Sequence, residues 1–311
     1  MAEAEGLLWE ELLWVTEKTS RLSTKLAAIQ DDISVAQRGV SFLSPAQLQA
    51  GQRWMLERLA NVPAAQRLYQ HQRDQRDHPS SHTLEHGIQW RERAVRQYIR
   101  RVERFLDLLC LAVHITGGQP ARGPELLSVR WRNGVLQDRN LYVVDGQVVV
   151  VTRYHKTQSQ WDRPKVIARF LPESVGQLMT AYLLYVRPVR ALLLSSLGKL
   201  ATAAASDYLW ADEHGPWDTS RLTRIMTAET AERLGTRLTM ADYRQVAVGI
   251  GREVVGERFA TGYNKQQQGT AYHAEGEGSS SDEDGEDPVE LQNGRSTAIG
   301  LVAYAVQADI V

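Results

Sequence analysis

The sequence predicts an α+β chain that is mainly helical with one small antiparallel β-sheet. Three observations carry that expectation. Apolar residues recur at helical spacing through most of the first 115 residues and again beyond residue 172. Between these stretches, LYVVDGQVVVVTRYHK (141–156) joins two β-branched runs through Asp145-Gly146, a dipeptide favoured at tight hairpin turns. The run VIARFL (166–171) then supplies a further strand.

The elements follow in order. Leu8, Leu12, Val15, Leu22, Leu26, Ile29 and Ile33 keep a 4-3 spacing with a gap at Thr19. That spacing predicts a helix of nearly four heptads, compatible with a dimeric coiled coil or with a helix packed on its own domain. Residues 1–80 therefore read as a helical, coiled-coil-like N-terminal region, and 8–33 as a candidate homo-oligomer contact. SPAQ (44–47) offers an N-cap serine, a first-turn proline and a glutamine three residues after the cap, so a helix is expected to about Leu59. Residues 71–88 are polar and read as a linker or a frayed helix.

A long helix is expected over about 87–115, basic at its start and apolar at its end. Pro124–Arg130 reads as a short helix, and 172–185 and 187–205 as longer ones. DYLWAD (207–212) suits a short strand or turn. An amphipathic helix over 220–235 is closed by Gly235, and another begins at Thr239. Residues 264–290 have the composition of a disordered insert, and 295–306 read as a last helix.

Composition narrows the function classes. The single cysteine, Cys110, excludes a disulfide framework and a cysteine-rich zinc site. The acidic N-terminus is unlike a secretory signal, and no apolar run approaches the length of a membrane span, so a soluble intracellular protein without membrane contact is expected. HTLEH (82–86) matches the letters of a zinc motif but lacks an obvious third ligand; no metal and no cofactor are expected. The net charge of −1 conceals a split, because 274–290 holds eight acids and no base and leaves about +7 on the remainder. QWRERAVRQYIRRVERF (89–105) carries six arginines against two glutamates. Arg93, Arg96 and Arg100 are candidate contacts to a DNA backbone, although such a charge run also suits a solvated helix face.

The residues that suggest chemistry are spread along the second half of the chain. TGGQPARGPELL (116–127) places Arg122 three residues before Glu125 where a helix starts. Lys156 follows the hairpin, ADYR (241–244) ends in Arg244, and Gly294-Arg295 precedes Tyr304 by nine residues counted from the arginine. In this order the segment from about residue 85 to 311 resembles the catalytic domain of tyrosine recombinases, the phage-integrase-like enzymes. Its wording is closest to fungal Crypton-type recombinases and to similar segments beside RecQ-like helicases of fungal telomeric regions.

The resemblance implies a nuclear protein of transposable-element type that acts on double-stranded DNA, with a helicase-like partner or fused domain as a further expectation. It also implies DNA recombination or integration through a 3′-phosphotyrosine intermediate. Arg122 and Arg244 would be the two catalytic arginines, with Glu125 supporting the first, Lys156 the hairpin lysine and Tyr304 the nucleophile. Ala241 and Arg295 stand where the family has histidines. Three readings stay open: an active recombinase in which Arg295 replaces a histidine, a DNA-binding module that has lost catalysis, and a coiled-coil interaction protein argued from residues 8–33, which leaves the order of the later motifs unexplained.

Each residue has a structural alternative. Arg122 could serve a helix cap through Glu125, Lys156 could be a solvated strand-edge residue, Arg244 could pair with Asp242 or Glu229, and Tyr304 in LVAYAV could be core.

Overall fold

A computed structural model of the chain describes residues 1–17, 25–71, 88–135, 137–154, 165–198, 206–251 and 253. The expected class holds: the described chain is mainly helical, with small antiparallel sheets. Helix α1 (Ala2–Gly6) continues as a π-helical turn (Leu7–Leu12), and α2 (Pro45–Asn61) and α3 (Pro63–Gln66) follow. A two-stranded ribbon, β1 (Tyr69–His71) with β2 (Ile88–Trp90), leads into the long helix α4 (Glu92–Thr116). The short α5 (Gly123–Leu127) precedes a three-stranded sheet of β3 (Leu141–Val144), β4 (Gln147–Tyr154) and β5 (Lys165–Phe170), in that spatial order. Helix α6 (Glu173–Ala181) runs through a π-helical turn (Tyr182–Val186) into α7 (Arg187–Ser196). After the small ribbon of β6 (Ala211–Asp212) and β7 (Gly215–Pro216) come α8 (Thr219–Leu234) and α9 (Met240–Ile250).

Local chemistry accounts for several boundaries. Ser44 accepts the Gln47 N–H while the Gln47 side chain accepts the Ser44 N–H, a reciprocal cap on α2. Asp218 caps α8 through the Arg221 N–H, and Gly235 ends it in the left-handed region at φ 68°. Thr239 and Asp242 form the reciprocal cap of α9. The β3–β4 turn has positive φ at both central residues, 49° at Asp145 and 75° at Gly146, as a type I′ turn requires. Register pairs Leu141 with Val150 and Val150 with Arg169, so β4 is the central strand and its Val148 and Val150 are fully buried.

One core unites the described elements. Helix α4 threads it with Val102, Phe105, Leu106 and Leu109 fully buried, and the Phe105 ring lies 5.9 Å from that of Tyr182. The helical run 173–196 corrects the expectation that no apolar stretch approaches a membrane span, because by length and composition it could cross one. Most of its apolar window is nevertheless buried against α2, α4 and β4. Helix α2 approaches this run so closely at Gly51 that a Cβ there would stand 2.5 Å from the Leu184 carbonyl oxygen. Only glycine permits that contact.

The N-terminal expectation is corrected. The helix stops at Leu12, and residues 13–17 are irregular rather than part of a long helix over 8–33. Trp14 adopts a left-handed backbone at φ 54° and reverses the chain. Tertiary hydrogen bonds reward the break: Tyr98 Oη donates to the Leu12 carbonyl at 3.2 Å, and the Arg58 guanidinium donates to the Trp14 carbonyl. Leu8, Leu12, Val15 and Leu26 keep their apolar role, but in this chain's own core, and Ile33 is exposed. The heptad spacing therefore describes core contacts and not a coiled-coil seam; Leu22 lies outside the described residues.

Candidate functional site

The turn that joins α4 to α5 is the organising feature. Its first glycine, Gly117, is packed on the preceding helix and on β5: a Cβ there would lie 2.7 Å from the Val113 carbonyl oxygen and 3.6 Å from Arg169 Cβ. Two elements remote in sequence, β5 and α9, hold the turn and the helix end before it. The Arg169 guanidinium from β5 donates through Nε to the Gln119 carbonyl at 3.3 Å and through a terminal nitrogen to Thr152 Oγ1. Gln119 Nε2 donates to the Ala247 carbonyl on α9 at 3.1 Å, and Tyr243 Oη on α9 donates to the Ile115 carbonyl at 3.4 Å.

Arg122 is the N-cap residue of α5. Its backbone N–H donates to Glu125 Oε2 at 3.2 Å, and its Nε lies 3.9 Å from Glu125 Oε1. The expected companionship of Arg122 and Glu125 is thus present in the structure. The next residue is sterically confined, since a Cβ on Gly123 would stand 2.9 Å from Thr219 Cγ2 at the start of α8. Arg244 lies on α9, half-buried, one residue after Tyr243. Of the acids considered as its partners, Asp242 is engaged in the Thr239 cap, and Glu229 is buried and bound by Arg104 and Arg233.

Two residues not anticipated from the sequence complete the cluster. Arg169 is 3% exposed; burial and the neighbouring Arg244 lower its pKa to about 10, against the opposing pull of Glu125, so it remains a cation at neutral pH. His114, on the last turn of α4, is also 3% exposed, and its ring centroid lies 5.3 Å from that of Tyr243. Burial first, then the positive fields of Arg169 and Arg244, lower its pKa to about 3 and keep the imidazole neutral. Neither ring nitrogen has a hydrogen-bond partner among the described residues. The electrostatic coupling runs from Glu125 to Arg169, from Arg169 to Arg244 and from both arginines to His114, so α4, α5, β5 and α9 converge on one place. A signal for both residues existed: each is a polar side chain inside an otherwise apolar run, LAVHI and VIARFL.

The remaining candidates divide. Lys156, Arg295 and Tyr304 lie outside the described residues, as do His82–His86, the acidic insert 264–290 and the expected last helix. Arg93, Arg96 and Arg100 are all exposed on the first half of α4, with Arg96 bound to Glu92 at 2.5 Å. At about 1.5 Å of rise per residue, Arg100 is roughly 20 Å along the helix from His114. The basic stretch is thinner than its sequence suggests. Arg101 pairs with Glu11 at 2.8 Å, and Arg104 pairs with Glu3 at 2.8 Å and with Glu229, so acids of the N-terminal segment and α8 neutralise part of it.

Two clefts of 290 and 560 Å³ flank the β6–β7 ribbon and share Asp212, His214 and Arg221. Neither is lined by Arg122, Arg169, Arg244 or His114. An internal ion network occupies their common wall: Arg221 pairs with Glu103, Asp107 and Asp212 at 2.8–3.0 Å and lies 3.6 Å over the Trp217 ring. Among the described residues, no group of three or more histidine, cysteine, aspartate or glutamate side chains is arranged to hold a metal.

Chemically, the convergence of guanidiniums on one turn suits an anionic oxygen, since arginines stay charged at any working pH and can hold a phosphate through paired N–H groups. No protein-family model and no solved structure matches this chain.

Proposed function

We propose that the chain binds duplex DNA and that Arg122 and Arg244 hold a backbone phosphate for strand cleavage and rejoining of the tyrosine-recombinase type. The observation that supports this reading is that the elements carrying Arg122 and Arg244 are held at the same turn. The two arginines lie 122 positions apart in sequence, and Arg169 adds positive charge beneath. In-line attack on a phosphodiester builds negative charge on the non-bridging oxygens, and fixed guanidiniums stabilise that charge without any proton transfer. In this reading the Tyr304 hydroxyl gives its proton to solvent as its oxygen attacks phosphorus, so that the 3′-phosphotyrosine bond forms while the bond from phosphorus to the 5′-oxygen breaks. The departing 5′-oxygen takes a proton from Lys156, and Arg295 donates to a phosphate oxygen. The reverse attack by a 5′-hydroxyl reseals the strand and frees the tyrosine.

One observation favours a second reading, a DNA-binding module without cleavage. Ala241, where the resemblance expects a histidine, is an exposed residue on the first turn of α9 with no donor to offer.

A denaturing gel of the protein incubated with nicked duplexes of varied sequence separates the two. The recombinase reading expects a covalent protein–DNA band that Tyr304→Phe abolishes while duplex affinity stays unchanged. An adduct that survives the substitution overturns Tyr304 as nucleophile. Binding without an adduct selects the second reading, and DNA affinity indifferent to Arg122→Ala and Arg244→Ala removes both.

A further inference from the structure

His114 is costly where it stands. A buried polar group that loses water without gaining a partner is a net penalty to folding, and such groups are rare enough in folded chains to need a reason. This one has both ring nitrogens unpartnered among the described residues, at 3% exposure. Core packing alone would be served as well by leucine, the residue type that fills the neighbouring positions Leu108, Leu109 and Leu111 of the same helix.

Its surroundings define what the ring could do. From α4 it projects between β5, which contributes Arg169, and α9, which contributes Tyr243 and Arg244. Tyr243 covers it ring to ring and spends its hydroxyl on the Ile115 carbonyl. Arg169 spends two of its nitrogens on the Gln119 carbonyl and Thr152. A neutral imidazole presents one N–H and one lone pair. The charged groups whose fields act on it are both guanidiniums, which can only donate, so of the ring's two groups the lone pair is the one a guanidinium could satisfy. Of the two arginines, Arg244 sits on the half-buried face of α9, where an incoming phosphate would meet it.

We infer that His114 is a positioning residue for Arg244: with a phosphate in the site, its ring lone pair accepts an N–H of the Arg244 guanidinium and holds the remaining N–H groups on the phosphate oxygens. The inference rests on the phosphate-site reading of Arg244. It explains why a hydrogen-bond acceptor is buried beside two cations, and why the acceptor is a ring that stays uncharged there instead of a carboxylate. A carboxylate would compete with the phosphate for the same guanidinium.

The test is a double-mutant cycle on affinity for a nicked DNA duplex, with thermal unfolding measured on every variant. Arg244→Ala sets the reference, His114→Leu removes the acceptor at similar volume, and His114→Gln restores an acceptor oxygen. His114→Leu is expected to weaken binding about fivefold in the parent and not at all in the Arg244→Ala background, as for residues that act through one contact. His114→Gln should stay within about twofold of the parent. The melting temperature of His114→Leu should equal or exceed the parent's, because an unpartnered polar group has been removed; a merely structural histidine would lower stability when replaced and leave the affinity cycle additive. If Arg244→Ala weakens binding but His114→Leu does not, or does so equally in both backgrounds, the inference is overturned and the phosphate site stands. If Arg244→Ala itself binds as the parent does, the phosphate-site reading fails and takes the inference with it. If His114→Leu does not fold, His114→Gln carries the cycle: full binding supports the inference, and an additive loss in both backgrounds overturns it.

Discussion

His114 also makes the fold acid-sensitive, and the size of the effect follows from its environment. In the folded chain its pKa is lowered from 6.5 to about 3 by burial and by the fields of Arg169 and Arg244. The unfolded chain takes up a proton near the ordinary value, so below pH 6.5 the unfolded state binds more protons and stability falls with pH. The loss begins near pH 6.5 and continues down to about pH 3, where the folded form also protonates. Each pH unit inside that window is worth about 1.4 kcal/mol, so acidification from pH 7 to pH 5 should remove about 2 kcal/mol through this one group. That figure requires only a folded pKa well under 5 and does not depend on where under 5 it lies. Urea unfolding of the parent and of His114→Leu at both pH values isolates the term, since other titrating groups such as Asp107, whose carboxyl is raised chiefly by burial, are common to both proteins. The parent should lose about 2 kcal/mol more than the variant between pH 7 and pH 5. An equal loss in the two would show that the folded state accommodates the imidazolium, and that the ring is not held neutral against the two guanidiniums.

Two further outcomes are expected. Arg122→Ser should raise stability by about 0.5–1 kcal/mol, because serine can accept an N–H of the first turn of α5 and arginine cannot, yet the same change should weaken duplex binding; a loss of stability would make Arg122 a packing residue. Replacing Arg93, Arg96 and Arg100 with glutamine should weaken binding to all duplexes alike and flatten the log-log salt dependence by about one unit per lost phosphate contact, and an unchanged slope in a salt titration would return these side chains to a solvated helix face.

Local chemistry made much of the fold legible. The Ser44 and Thr239 caps, the Asp145-Gly146 turn and the Gly235 stop act within a few residues, and each lies where its sequence signal places it. The N-terminal heptads misled because spacing records which side chains are buried, not what buries them. Leu8, Leu12 and Val15 are core residues either way, but the helix ends because Tyr98 and Arg58, 86 and 44 positions beyond the carbonyls they bind, satisfy the free backbone oxygens. The basic stretch misled for a similar reason. Arg101 and Arg104 meet Glu11 and Glu3, acids that the sequence assigns to another region. At the candidate site, Arg122 and Glu125 were legible as a pair three residues apart. Arg169 and His114 were not, since their meeting depends on β5 and α4 packing around one turn, and short-range patterns carry no record of that.

What the sequence does record at this site is a pair of choices that work against local stability. An N-cap is best served by a short acceptor, yet α5 begins with an arginine, and Glu125 supplies the cap from within the helix by binding the Arg122 backbone N–H. The cap therefore makes no demand on the guanidinium, and any of several smaller residues would complete it better. The last turn of α4 could likewise be wholly apolar, yet it buries an unpartnered imidazole. Either departure alone would be a minor imperfection of packing. The company His114 keeps is harder to explain by packing, because beyond the cost of burial the fields of Arg169 and Arg244 disfavour its charged form and that of Arg244 disfavours the charge on Arg169. An arginine N-cap is not peculiar to this spot, since Arg91 begins α4 and Pro172 begins α6 without a side-chain cap hydrogen bond, so what points to a ligand is the buried imidazole and the charges beside it. Under the proposed reading, the ligand that would offset the cost of two neighbouring guanidiniums and a neutral acceptor is an anion with several oxygens, such as a backbone phosphate.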